Sequence, residues 1–108
     1  MYSIIAVTEV DVLMKKDNHS TEEKLIILVT NNARKKMNVN LGLLVFMNDG
    51  SVFKSVNHSG LFEKDNFINR YNCDWIKTAT NERIINTAFH ETFHAVRQQA
   101  EVFAAYFF

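Results

Sequence analysis

Two histidines and a glutamate near the end of the chain have the residue types and the spacing of a metal site. The segment reads His90-Glu91-Thr92-Phe93-His94, which is the pattern H-E-x-x-H. Helical residues four positions apart lie on one face, about 6 Å apart along the axis, so the two imidazoles project in parallel. Two imidazoles placed in this way can bind one tetrahedral zinc ion. The adjacent glutamate can take the proton from a zinc-bound water, whose pKa the metal lowers to about 7.

A long amphipathic helix, near residues 81–106, is predicted to carry this pattern. Thr80 or Asn81 can cap its N-terminus, and apolar residues recur along it at helical spacing. The predicted buried stripe consists of Ile85, Phe89, Phe93, Val96, Ala100, Phe103 and Phe107. The two histidines lie away from this stripe on the helical wheel. They are therefore expected to face a cleft or solvent while the stripe is buried.

The rest of the chain predicts an α+β fold in one domain, residues 1–108. Strands are expected near residues 2–14, 39–47 and 51–57, and helices near residues 21–37, 61–70 and 81–106. The tetrapeptide N-D-G-S at residues 48–51 predicts a hairpin turn between the second and third strands. We therefore expect a small antiparallel-rich sheet that is packed by helices.

The segment at residues 20–37 is ambiguous between helix and strand, because the apolar residues 25–29 could form a buried strand. Ser20 and Glu23 have the spacing of a capping box. Acidic residues begin the segment and basic residues end it, which suits the helix dipole. Leu25, Leu28, Val29, Ala33 and Met37 recur at helical spacing. These features favour a helix.

Composition excludes several classes of protein. The chain has 108 residues, of which 47% are hydrophobic, and its formal net charge is zero. The chain lacks the excess of basic residues that is typical of nucleic-acid-binding proteins. It also lacks an apolar run that is long enough to cross a membrane. The single cysteine, Cys73, excludes an intramolecular disulfide and suits a reducing compartment. The N-terminus lacks the charge pattern of a signal peptide. We therefore expect a cytoplasmic protein without nucleic-acid or membrane partners.

The C-terminal segment, residues 84–107, resembles the active-site helix of zincin-type metallopeptidases. That family's extended pattern has Val or Thr three residues before the first histidine, which is Thr87 here, and an apolar residue two after the second, which is Val96. The residues around the motif are uncharged, as the family's pattern requires. The segment looks like the helix of small bacterial and phage-encoded zincins, and the phrase A-E-V-F-A-A-Y-F is similar to one in IrrE/ImmA-like peptidases.

This resemblance implies a zinc-dependent peptide hydrolase. Its metal ligands would be His90 and His94, its general base would be Glu91, its cofactor would be Zn²⁺, and its substrate would be a peptide or protein.

A catalytic zinc ion needs three protein ligands, and the sequence leaves the third one open. Ala100 stands where metzincins have their third histidine, and Arg97 stands where the IrrE/ImmA-like phrase has its acid. Glu101 shares a helix face with His94 but lies about 10 Å further along the axis, which is beyond the reach of a shared metal. The ligand could come from upstream, from a neighbouring subunit, or be missing in a degenerate site. The upstream candidates are His58, Cys73 and Asp74.

An alternative function is therefore kept beside the hydrolase. The chain could be a non-enzymatic α+β protein-binding module, such as an inhibitor or accessory factor encoded by a phage or mobile element, with a degenerate H-E-x-x-H helix. Its C-terminal segment V-F-A-A-Y-F-F either docks into the core or forms a homodimer or partner interface, where aromatic residues concentrate.

Overall fold

The computed structural model describes residues 11–12, 20–53 and 58–107. The strands are β1 (Asp11–Val12), β2 (Leu44–Asn48), β3 (Gly60–Glu63) and β4 (Ile68–Asn72), and the helices are α1 (Thr21–Lys36), α2 (Cys73–Ile76) and α3 (Asn81–Phe107). The predicted α+β class is confirmed. None of the helices in these ranges has the length and apolar character needed to span a membrane.

The sheet is mixed and has the strand order β1-β2-β4-β3. Strand β2 pairs in parallel with β1 and with β4, whereas β3 pairs antiparallel with β4. Helix α1 joins β1 to β2, and parallel neighbours require such a crossover. Helices α1 and α3 pack against the sheet around Val45, Met47 and Tyr71 in one apolar cluster. The sheet is thus less antiparallel than the sequence suggested, and β3 lies at its edge next to α3.

Helix α1 begins where the capping box predicts. The Glu23 amide donates to Ser20 Oγ at 3.1 Å, and the Ser20 amide donates to Glu23 Oε1 at 2.9 Å. These two bonds satisfy backbone donors that a helix start leaves unpaired. The helix Thr21–Lys36 therefore confirms the prediction for residues 21–37. Its buried face was only partly predicted, because Val29 and Ala33 are buried but Leu28 is exposed.

The helix predicted near residues 61–70 is wrong, because these residues form the hairpin β3–β4. A turn over residues 64–67 joins the strands, and Phe67 has a φ of 57° there. The apolar residues of this segment have a spacing that fits either structure. The hairpin is stabilised by partners distant in sequence. One of these bonds runs from Asn69 Nδ2 to Thr92 Oγ1 over 3.2 Å.

The hairpin predicted between residues 39–47 and 51–57 is also wrong. Strand β2 begins at Leu44 and pairs in parallel with β4, so residues 48–51 do not turn it back on itself. Residues Gly50–Val52 form a 3₁₀ turn, which Asp49 caps by accepting from the Ser51 amide at 3.0 Å. Residues 54–57 lie outside the described ranges. The predicted strand near residues 2–14 lies outside them too, apart from β1.

The bounds predicted for α3 are confirmed, but its predicted buried face is wrong. The residues that are buried are Ile84, Thr87, Ala88, Glu91, Thr92, Ala95, Gln99 and Val102. Ile85, Phe93 and Phe107 of the predicted stripe are exposed. The true face is rotated by about one residue, or roughly 100°. Small side chains at Ala88, Thr92 and Ala95 let the helix approach α1 and the sheet closely, whereas the aromatic stripe is too bulky to lie there.

Gly60 lets the edge strand β3 lie close against β4. A Cβ at this position would lie 2.8 Å from Arg70 O, 3.0 Å from Tyr71 Cδ1 and 3.5 Å from Thr87 Cγ2. The first two distances are shorter than ordinary contacts, so a side chain here would push β3 away from β4. The absence of a side chain therefore allows β3 to pair closely with β4, and Thr87 of α3 lies at ordinary contact distance from the same position.

Gln99 ties the second half of α3 to the segment between α1 and β2. Its Oε1 accepts from the Asn40 amide at 2.6 Å and from the Leu41 amide at 3.0 Å, and its Nε2 donates to Asn38 O at 2.9 Å. Asn38 has a φ of 57°. One buried side chain therefore satisfies three backbone groups of the connection between α1 and β2.

Replacing Gln99 with alanine should destabilise the protein by about 2 kcal/mol or more, because each buried group that loses its partner costs about 1–3 kcal/mol. Gln99→Glu should also destabilise it, since a carboxylate retains the two accepted bonds but presents an oxygen to Asn38 O. Chemical denaturation measures both effects. Asn86→Ala, which removes an amide from the exposed side of the same helix, is the control. A Gln99→Ala variant that unfolds at the wild-type denaturant concentration would contradict this role.

Candidate metal centre

His90 and His94 project from the same side of α3, and their ring nitrogens converge. The distance between His90 Nε2 and His94 Nε2 is 3.3 Å. The ring centroids are 4.8 Å apart, and the ring planes are perpendicular. His90 is exposed and His94 is half-buried. The sequence prediction that the two imidazoles share one face is confirmed.

The separation of the two nitrogens matches the geometry of a shared metal ion. Zinc–nitrogen bonds of about 2.0–2.1 Å at a tetrahedral angle place two ligand atoms about 3.3–3.4 Å apart. The observed 3.3 Å between the Nε2 atoms agrees with that value. The same distance also suits a hydrogen bond between a protonated and an unprotonated ring nitrogen. The distance between the two nitrogens is therefore compatible with a shared metal ion and also with a direct hydrogen bond.

Glu91 lies between the histidines and the core. Its side chain is buried, yet it lines the same cleft as both rings. Its carboxylate and the two imidazoles offer ligand atoms that all lie within 4.8 Å of one another. Burial raises the pKa of the Glu91 carboxyl, and the charges of His90 and His58 oppose that rise. A carboxylate with a raised pKa is a stronger base than one on the surface.

His94 is held in a form that can bind a metal. Burial lowers the pKa of its imidazole, and the positive charges of His90 and Arg97 lower it further. The ring is therefore neutral at neutral pH, and neutral imidazole is the metal-binding form. Phe62 of β3 stacks on it with a centroid distance of 6.5 Å and an interplanar angle of 14°. This stacking restricts the ring's orientation toward the cleft.

A cleft of about 450 Å³ separates α3 from the edge strand β3 and places the three motif residues on one wall. Its lining consists of His58, Gly60, Leu61, Phe62, Lys64, His90, Glu91, His94, Arg97, Gln98 and Glu101. The contribution of β3 was not predicted, because residues 61–70 were expected to be helical. The motif residues therefore face an open groove with a second wall, which the helix alone could not provide.

The candidates for a third ligand differ in whether they line the cleft. His58 lines the cleft. Cys73 does not, and its Sγ lies 3.5 Å from Glu23 Oε2. Asp74 is also outside the lining and accepts from the Gly50 amide at 2.7 Å. Glu101 does line the cleft, but two helical turns separate it from His94, so the distance argument against it stands. His58 is thus the upstream candidate that the fold brings to the site.

A buried polar network supports the helix beneath the motif. Thr92, inside the motif, accepts at Oγ1 from Asn69 Nδ2 over 3.2 Å, and the same nitrogen donates to the Tyr71 hydroxyl over 3.0 Å. The Tyr71 hydroxyl also lies 2.7 Å from Thr30 Oγ1 of α1. Burial raises the pKa of the Tyr71 phenol, which keeps it neutral. The network links α1, β4 and α3, and no local sequence signal marked it.

No protein-family model matches the chain, and comparisons with curated proteins and with solved structures find no match either. The resemblance to zincins therefore depends on the sequence of α3. The geometry of His90, Glu91 and His94 is an independent observation.

The buried Glu91 carboxyl should cost stability when it is ionised. Because its pKa is raised above the ordinary value of 4.5, the folded state binds more protons than the unfolded state above that pH. Stability due to this group is therefore present below 4.5 and is lost as pH rises through the folded-state pKa. Glu91→Gln, which cannot ionise, should melt at a higher temperature than the wild type near neutral pH.

The experiment is thermal unfolding in the presence of a chelator, at neutral pH and at about pH 4, where the difference should vanish. Glu101→Gln removes an exposed glutamate from the same helix and serves as the control. Equal melting temperatures for Glu91→Gln and the wild type at neutral pH would show that the Glu91 carboxyl is not destabilised by burial.

Proposed function

We propose that the chain is a zincin-like metalloprotein that binds Zn²⁺ through His90 and His94 and hydrolyses peptide bonds with Glu91 as general base. The observation that carries this proposal is the 3.3 Å separation of the two Nε2 atoms on the wall of a cleft. A buried carboxylate beside them supplies the general base for metal-assisted hydrolysis, while the third protein ligand is still to be assigned.

Each protein group has a task that follows from its surroundings. When bound, zinc would lower the pKa of a coordinated water and polarise a substrate carbonyl. Glu91 would accept the proton from that water, and its raised pKa favours such a transfer. The protonated carboxyl would then donate to the departing amine. His90 and His94 would hold the metal, and the lowered pKa of His94 favours the unprotonated ring.

The cleft suits an extended peptide better than a small molecule enclosed on all sides. It is an open groove of about 450 Å³ between β3 and α3. Leu61 and Phe62 supply apolar surface on the β3 side, while Arg97 and Gln98 supply polar groups on the helix side. Such a mixture of apolar surface and a few polar groups is typical of ligand sites. A short stretch of polypeptide is therefore the substrate class that we propose.

Metal binding is the first test of this proposal. Purified protein that has been stripped with a chelator and dialysed should take up one equivalent of Zn²⁺, measured by competition with a chromophoric chelator. A variant with His90→Ala and His94→Ala should lose that uptake, because both ligands are removed. Cys73→Ala removes another chemically competent ligand and should leave the uptake unchanged. Equal zinc uptake by the wild type and the double-histidine variant would contradict the proposal.

Hydrolysis is the second test. Glu91→Gln should retain zinc and lose peptide hydrolysis by about 10²–10⁴-fold, because a positioned general base contributes that much. The measurement is cleavage of a quenched fluorescent peptide library by zinc-loaded wild type and variant, with zinc content determined on the same samples. Cleavage by Glu91→Gln at the wild-type rate would show that this carboxylate is not the base.

The alternative function, a protein-binding module, has its own support in the exposed apolar residues of α3. Phe93, Tyr106 and Phe107 are 52%, 74% and 71% exposed, respectively. Large aromatic side chains are common in interfaces. Of the two alternatives for the C-terminal segment, docking into the core holds for the buried Val102 but not for Tyr106 and Phe107. A wild-type protein that takes up no zinc would favour this second function over the first.

A further inference from the structure

We propose that His58 is the third protein ligand of the metal, so that His58, His90 and His94 form a three-histidine site with an open fourth position. This inference rests on the proposed metal binding and extends it. Catalytic zinc sites use three protein ligands and keep one position open for water or substrate. The helix supplies two of the ligands, so a residue from another element must supply the third.

The fold places His58 at the cleft without any help from sequence proximity. His58 precedes β3 and lies 32 residues before His90, yet both residues line the same groove. Gly60 contributes to this placement, because its lack of a side chain lets the start of β3 lie close against Arg70 and Tyr71 of β4. The residues that precede β3 reach the cleft together with this strand.

Two hydrogen bonds hold the backbone around His58 in place. The Asn72 side chain donates from Nδ2 to His58 O at 2.9 Å, and the Asn72 amide donates to Ser59 O at 2.9 Å. Asn72 is fully buried at the end of β4. The same side chain caps α2, accepting at Oδ1 from the Asp74 amide at 2.9 Å. A backbone anchored in this way can support a ligand on an otherwise exposed stretch.

The lining of the cleft agrees with this position. His58 and Glu91 both line it, together with His90 and His94. The other two residues that we predicted as upstream ligands contact Glu23 and Gly50 instead.

The proposed site requires a change of rotamer at His58, which does not belong to the close group of ligand atoms in this structure. The ligand atoms of His90, Glu91 and His94 already lie within 4.8 Å of one another, and His58 is the additional cleft-lining histidine. Its side chain is exposed and lies beside the Phe53 ring at a centroid distance of 5.6 Å. Exposed side chains exchange between staggered rotamers at small cost. Metal binding selects the rotamer that points His58 toward the two Nε2 atoms.

The test compares zinc affinity and coordination in the full chain with single substitutions. In competition with a chromophoric chelator, His58→Ala should bind Zn²⁺ about a hundredfold more weakly than the wild type, since each ligand carries a large share of the binding free energy. X-ray absorption of zinc-loaded wild type should count three imidazoles. His58→Cys should restore tight binding and show a zinc–sulfur distance of about 2.3 Å.

Two controls separate a lost ligand from a damaged fold. Cys73→Ala should keep the wild-type affinity and coordination, and the melting temperature of metal-free His58→Ala should equal that of the wild type. A His58→Ala variant with wild-type zinc affinity would overturn the assignment of His58 while leaving zinc binding by the helix intact. A wild-type protein that binds no zinc would overturn both proposals together.

Discussion

The close packing of α3 against α1 and the sheet is the constraint on which the candidate site depends. This packing uses small residues, above all Ala88 and Ala95, which are fully buried. Helices approach most closely where side chains at the contact are small, so these positions fix the rotation of α3 about its axis. Once that rotation is set, the direction of every other side chain on the helix follows.

The rotation of α3 explains why the three motif residues have different environments. Glu91 lies one turn from Ala88 and Ala95, so it is drawn to the edge of the core and is only 5% exposed. His90 and His94 lie to one side of it and reach the groove. Thr92 lies on the other side and bonds to Asn69 in the interior. A rotation that buried the aromatic stripe would have placed Phe93 in the core and removed Glu91 from its position between core and groove.

Local signals predicted the features that depend on neighbouring residues. The capping box of Ser20 and Glu23 identified the start of α1, and the spacing of His90 and His94 identified their common face. These predictions hold because i,i+3 and i,i+4 relations on a helix are set by its geometry. Of the two caps expected for α3, Thr80 is the one that accepts at Oγ1 from the Arg83 amide, at 3.3 Å.

Features that depend on distant partners were mispredicted or missed. The aromatic residues of α3 form the most apolar stripe in the sequence. The neighbouring face with the alanines is buried instead, because small side chains allow closer packing. Residues 61–70 were assigned to a helix, although the Asn69 side-chain nitrogen donates to Tyr71 of β4 and to Thr92 of α3, a partner 23 residues away that no local pattern indicates. The second wall of the cleft belongs to that hairpin. The common face of the two histidines could therefore be predicted from the sequence, but the groove that they face could not.

The bonds made by Gln99 also have a consequence for the order of events in folding. They join α3 to Asn38, Asn40 and Leu41, which lie between 58 and 61 positions earlier in the chain. Contacts of such long range form only after the intervening loop has closed, and its closure costs entropy. The histidine pair needs nothing more than one formed turn of helix, which takes less than a microsecond or so. We therefore expect the two parts of the site to form at different times during folding. The histidine pair on α3 forms first, and the groove that faces it forms last.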